Sequence, residues 1–117
     1  MFGAVVGDIV GSTRERSPIK TKHFLLIPEG SRFTDDSIMT VATAYAILKE
    51  IPYAQAYKQL GKAYLKRGYG RSFKEWIKSD SYEPYGSWGN GSAMRVAPVG
   101  WAFNNIRDVL REARISA

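Results

Sequence analysis

A hydroxyl and two carboxylates stand on consecutive residues, Thr34, Asp35 and Asp36, at the head of an apolar run with helical spacing. Ile38, Val41, Ala42, Tyr45 and Ile47/Leu48 fall on one broad face, so the stretch from Asp35 to about Glu50 must bury that face against other elements. Thr34 is placed to cap the helix, and acids in a first turn favour the positive end of the helix dipole. Capping therefore accounts for the triplet on local grounds. The same three oxygens, pointing into one small volume, are also what a hard cation such as Mg²⁺ takes as ligands. The residues alone leave both readings open.

Helical patterns continue along the chain. Pro52 stands at an expected first helical position, followed by Tyr53, Ala56/Tyr57, Leu60 and Ala63/Tyr64 in a helix ending near Gly68. Phe73–Ile77 forms a shorter amphipathic piece, and residues 79–91 read as a loop rich in Gly, Ser and aromatics. A helical turn or two is expected from about Ser92 to Val99, before Pro98 and Gly100. A last helix over Asn105–Ile115 is expected to turn Ile106, Val109/Leu110 and Ala113 inward. Residues 3–11 are ambiguous: their β-branched residues suit a strand, their Gly and Ala a closely packed helix. Residues 12–33, punctuated by Pro18, Pro28 and Gly30, read as an extended connection. The expected fold is all-α, a single unit over residues 1–117. The last pattern runs to Ala117 with no stop signal, as in a chain cut short.

Composition removes several classes of function. Without cysteine there are no disulfides and no thiolate metal sites. His23 is the only histidine, so multi-histidine zinc centres are excluded and a Ser-His-Asp triad would rest on that residue alone. Lys20, Lys22 and Phe24 surround it, and a surface or packing role is expected. The N-terminus makes a poor signal segment because Asp8 interrupts its apolar run, and no apolar stretch reaches membrane length. A cytoplasmic protein with no membrane partner is the expectation. The net charge of +6 invites a polyanion, yet the basic residues are spread widely, in modest groups such as Lys62/Lys66/Arg67/Arg71 and Arg107/Arg111/Arg114. Nucleic acid is not the expected partner; a phosphate-bearing small substrate accounts for the sign equally well.

Carboxylates are thus the available acid–base material. Asp8 lies between Gly7 and Ile9 in an apolar segment, where it must find partners or shift its pKa. Structural support and a place at a site are both open to it. Glu15, between Arg14 and Arg16, reads locally as an exposed ion-paired residue. A second constellation is Gly86-Ser87-Trp88-Gly89-Asn90-Gly91-Ser92-Ala93-Met94-Arg95. Its glycines and small residues, entering a helix, let backbone amides approach an anion, or else form a plain loop capped by Asn90 or Ser92. Tyr82, Tyr85 and Trp88 could stack on a base or pack against the protein.

Three motifs in order, GAVVGDIVGS from Gly3, FTDDSIMTVA from Phe33 and WGNGSAMRVAPVG from Trp88, resemble the ADP-ribosylglycohydrolase family. They span nearly the whole chain. The resemblance implies an all-α fold around a binuclear Mg²⁺ centre that cleaves the glycosidic bond at the distal ribose of an ADP-ribosyl group. It implies that Thr34, Asp35 and Asp36 bind metal, and that Glu15 lies by the reacting ribose in an acid–base or positioning role. Gly89, Asn90, Gly91, Ser92 and Met94 correspond to the loop lining the ADP-ribose cleft, and Asp8 to a mainly structural residue. Such a mechanism pairs cations that hold ribose hydroxyls and polarise water with a carboxylate managing protons around an oxocarbenium-like transition state. Family members are much longer, and their later half carries a His-containing segment and further metal-binding aspartates with no counterpart here. Ser37 stands where Thr is usual, and Arg14 and Arg16 stand where apolar or aromatic neighbours are common. Two carboxylates do not neutralise two dications, so one Mg²⁺ or none is expected in this chain alone, and a homo-oligomer or a complementary C-terminal chain is a candidate partner. A non-catalytic ADP-ribose- or nucleotide-binding module is the alternative function, and a basic nucleic-acid-binding protein a further one.

Overall fold

The computed structural model describes residues 1–117 as seven helices with no strand. They are α1 (Phe2–Gly11), α2 (Asp35–Lys49), α3 (Tyr53–Ala63), α4 (Arg71–Lys78), α5 (Gly91–Arg95), α6 (Ala97–Ala102) and α7 (Ile106–Ser116). No helix is long and apolar enough to cross a membrane.

Helix α2 is the central element, packed against α1, α3, α5 and α6. Its start follows from sequence: Thr34 has extended backbone and its hydroxyl accepts from Asp36 N–H. It stops at Glu50, whose left-handed backbone (φ 53°, ψ 40°) lets Ile51 N–H return to Ala46 O at 3.1 Å. Ile38, Met39, Ala42 and Ala46 of α2 form the core with Ala56 and Tyr57 of α3, Tyr69, and Ile77 of α4. Helices α3 and α4 approach closely at Gly61, where a Cβ would stand 2.6 Å from Ile77 Cδ1. Buried threonines on α2 return their hydroxyls to the helix itself, as Thr43 Oγ1 does to Met39 O at 2.9 Å.

The segment that was ambiguous by pattern is helical. In a chain without any other strand, a strand at residues 3–11 would have no pairing partner. Asp8 is the one buried residue of α1, and the rest of that helix lies largely open. Pro52 precedes α3 rather than beginning it: its backbone is not helical (ψ 137°), while its carbonyl accepts from Gln55 and Ala56 N–H. That helix ends at Ala63, short of Gly68, because residues 64–67 turn to meet the start of α2. Pro98 and Gly100 lie inside α6 instead of following it; Pro98 occupies the first turn, where no N–H is required. In α7 the inward residues are Val109, Glu112, Ala113 and Ser116, while Ile106 and Leu110 are exposed, against the expectation for both. The register is set by polar ties: Tyr53 Oη donates to Glu112 at 3.0 Å, and Tyr57 Oη donates to Ser116 O at 2.9 Å.

Candidate functional site

The acidic triplet sits where three segments meet. Asp8, from α1, places both carboxylate oxygens under the first turn of α2. Its Oδ1 accepts from Thr34 Oγ1 at 2.6 Å, and its Oδ2 accepts from Thr34 N–H at 2.7 Å, Ser37 N–H at 3.1 Å and the Ser37 hydroxyl. Four donors on one buried carboxylate satisfy a charge that could not otherwise be buried. Asp8 thus takes the structural course, and it fixes Thr34 and Ser37 on either side of Asp35 and Asp36. Ser37 serves this contact with the hydroxyl that a Thr would also supply.

The third segment is the turn after α3. Asp35 N–H donates to Arg67 O at 2.8 Å, and the Arg67 guanidinium lies 3.9 Å above the Phe33 ring. Gly68 follows in a left-handed conformation (φ +111°), so close to the triplet that a Cβ there would stand 2.6 Å from Asp35 Oδ1. No side chain but hydrogen fits. Burial raises the Asp35 carboxyl to about 6; the charges of Asp36, Glu15 and Asp8 add to the rise, against its own backbone hydrogen bond. Asp36 is raised too, by burial first and then by Asp8 and Glu15. Thr34 is buried beneath the pair.

Asp35 and Asp36 line a cleft of about 1250 Å³. Gly89, Asn90, Gly91, Ser92 and Met94 line the same cleft, so the two separate motifs meet in one space. Thr40 makes the join: its hydroxyl is shared between Asp36 O at 2.7 Å and Met94 O at 3.0 Å. Asn90 occupies the N-cap position of α5 without a side-chain cap bond, and Gly89 N–H is committed to Ser87 Oγ at 3.1 Å. Arg95 is buried, donating to Ser116 O at 3.1 Å and to Ala117 O, with its guanidinium 4.4 Å above the Tyr57 ring. It thereby anchors the loop to the end of α7.

The aromatics divide between two roles. Tyr85 packs with Phe73 and Trp76, ring centroids 6.4 and 6.1 Å away. Tyr82 covers the Lys58 ammonium at 5.4 Å. Trp88 is fully exposed, with its faces free, on the cleft wall. Glu15 is exposed in the turn after α1 and does not line the cleft, though its charge is felt at Asp35 and Asp36. His23 lies exposed in the long connection.

The donor set fits one face of one hard cation. Asp35 and Asp36 crowd negative charge that a cation would relieve, and Thr34 Oγ1, with one donor bond and one acceptor bond made, keeps a lone pair. No group of three or more His, Asp or Glu is gathered for a metal, so the set is short of a binuclear centre. Thr40, Gly68 and Tyr69 escaped the reading of the sequence. A signal existed for the last two, in the paired glycines of Gly68-Tyr69-Gly70; Thr40 stood inside a quoted motif with no assigned role.

Comparison with known proteins gives this geometry a family. The family model for ADP-ribosylglycohydrolase matches residues 1–117. The chain is 32% identical over 152 aligned positions to ADP-ribosylhydrolase ARH3 of Mus musculus, covering 100% of this chain and 41% of that protein. It is 31% identical over 152 positions to the Homo sapiens ARH3, covering 42% of it, and 25% identical over 146 positions to that of Xenopus tropicalis. The chain therefore spans about two fifths of the length of these relatives. No solved structure matches. Matched from its first residue to its last, the chain belongs to the ADP-ribosylglycohydrolase family.

Proposed function

We propose that this chain carries the ADP-ribose-binding cleft and the first cation ligands of an enzyme that hydrolyses, with Mg²⁺, the glycosidic bond linking ADP-ribose to an acceptor. The observation that carries the reading is the meeting of Asp35 and Asp36 with the Gly89–Met94 loop in one cleft, tied by Thr40. At about 1250 Å³ the space takes a nucleotide-sized ligand with room to spare.

The family is generally Mg²⁺-dependent. Asp35, Asp36 and Thr34 would hold the ion, which when bound supplies positive charge for ribose hydroxyls and for a water molecule. The chain's own residues do the rest. Asp8 holds the first turn of α2, from which both acids line the cleft. Thr40 sets the distance between the acids and the loop. The loop positions the ADP-ribosyl group, and the exposed face of Trp88 offers a stacking surface for its base. Glu15, outside the cleft lining but close enough for its charge to reach Asp35 and Asp36, would be the carboxylate that holds or moves a proton beside the reacting ribose. The open apolar positions on α1 and α7, Phe2, Val6, Ile106 and Leu110, are where a second copy or a complementary chain would complete the centre.

A second reading has an observation of its own. The absence of a third gathered carboxylate or histidine favours a module that binds ADP-ribose or a nucleotide without turning it over. Calorimetric titration with ADP-ribose, with and without Mg²⁺, separates the two. Mg²⁺-dependent binding lost in an Asp35→Ala/Asp36→Ala variant supports the first, and Mg²⁺-independent binding kept in that variant supports the second. No binding in any arm overturns both for the isolated chain.

A further inference from the structure

We infer that Tyr69 is a positioning residue for Asp35: its phenolic O–H is reserved for the Asp35 carboxylate and fixes that side chain when a divalent cation occupies the Thr34–Asp36 triplet. The inference deepens the cation-binding reading of the triplet and rests on it.

Tyr69 is 3% exposed, and its hydroxyl has no hydrogen-bond partner. Leaving a buried hydroxyl unpaired costs about 1–3 kcal/mol, so such a group calls for a reason. Phenylalanine would fill the same space without that cost. The position of Tyr69 supplies the reason. It follows Gly68, whose backbone lies against Asp35 Oδ1, and Arg67, whose carbonyl takes Asp35 N–H. Residues 67 and 68 thus lie directly against Asp35, and Tyr69 follows them in the chain. The Tyr69 ring packs on Phe73, centroids 5.5 Å apart, and cannot swing out to water.

The hydroxyl is near enough to feel the Asp35 charge, which together with burial, the larger effect, pushes its pKa upward. A phenol carries its proton at neutral pH in any case and can act as a donor. Asp35 is the complementary half. No side chain donates to its carboxylate, although a carboxylate offers about four lone-pair sites. A cation uses one or two of these; a donor on the outward side then fixes the rotamer of the ligand. Outer-sphere donors of this kind are worth about 10–100-fold in metal affinity.

The test uses Mn²⁺ as the probe, followed by its electron paramagnetic resonance signal, on the whole chain. Three proteins are compared: wild type, Tyr69→Phe, and Asp35→Ala/Asp36→Ala, each also unfolded in urea. Mn²⁺ affinity is expected to fall about tenfold in Tyr69→Phe, while its stability stays equal or rises. That opposition is what a purely structural tyrosine would not give. Unchanged Mn²⁺ affinity in Tyr69→Phe, with binding abolished in the double variant, overturns the role of Tyr69 and leaves the triplet as the cation site. Affinity lost in step with stability in Tyr69→Phe assigns the residue to packing and likewise overturns it. No Mn²⁺ binding by wild type, or binding kept by the double variant, overturns the cation reading and the inference with it.

Discussion

Asp8 of α1 and Asp35 of α2 show how one residue type takes two fates around the first turn of one helix. Asp8 is paid in hydrogen bonds for its burial, four of them; Asp35 has no side-chain donor and is raised to about 6. Asp8→Ala leaves the N–H and hydroxyl groups of Thr34 and Ser37 without their acceptor, and is expected to cost about 3 kcal/mol in urea unfolding. The sign for Asp35 is opposite. Its folded pKa lies above its unfolded value of 3.8, so its neutral form, favoured by the fold, supports stability below about pH 4. That contribution is lost as pH rises through about 6. Asp35→Asn is therefore expected to stabilise the cation-free chain at pH 7 by roughly 1 kcal/mol, allowing for solvent screening of a half-exposed group. Thermal unfolding of both proteins in chelator from pH 4 to 8 checks it: the wild type should lose ground relative to the variant between pH 4 and 6. The triplet itself was legible because a capping residue, two acids and an apolar run are neighbours in sequence. The destination of Asp8 was not, since its partners lie 26 and 29 residues away. Only the need for some partner followed from its apolar setting.

At the scale of elements, the loop before α5 is held by a device at the end of α4. Lys58 of α3 is buried, and its ammonium donates to Trp76 O, to Ser79 O at 2.7 Å and to Ser79 Oγ at 3.3 Å. It satisfies the last carbonyls of α4 and lies 4.4 Å from the Trp76 ring, while Trp76 Nε1 donates to Glu83 O at 2.9 Å. Residues 79–85, most of which line the cleft themselves, are thus fastened to α3 and α4. Lys58→Met is expected to cost about 1–2 kcal/mol and to speed amide exchange selectively at Ser79–Tyr85, read by hydrogen-exchange mass spectrometry. Helix positions and type were legible from periodicity along α2, α3 and α4. Their facing was less so where packing is incomplete: the apolar spacing of α7 pointed to Ile106 and Leu110, but Tyr53 and Tyr57 reach Glu112 and Ser116 and set a different face inward. The prolines misled: Pro52 closes the turn one position before its helix, and Pro98 opens a helix it was expected to follow.

The whole molecule exposes more than a chain of its mass ordinarily does. Its surface is 8403 Å², against roughly 6400 Å² expected for a folded monomer of 13.1 kDa. The radius of gyration, 14.9 Å, likewise exceeds the ~13.4 Å expected for this length. The excess is more than the ~800 Å² that each partner contributes to a standard-size protein interface. Much of it is apolar, with Phe2 83% exposed and Val6, Ile106 and Leu110 also open. The isolated chain is therefore expected to associate at micromolar concentration, and a Phe2→Ser/Val6→Ser/Leu110→Ser variant to sediment as a smaller species in analytical ultracentrifugation. Among the polar ties between α1 and α2, the Asp8 clamp has a consequence for the connection that joins them. Residues 15–27 are exposed throughout and include Lys20 and Lys22, both open to trypsin. A cut there turns α1 into a peptide ligand of the remaining chain. Its retention then depends on competitor concentration, and a synthetic α1 peptide becomes an exchangeable part through which the acidic turn can be assembled or dismantled at will.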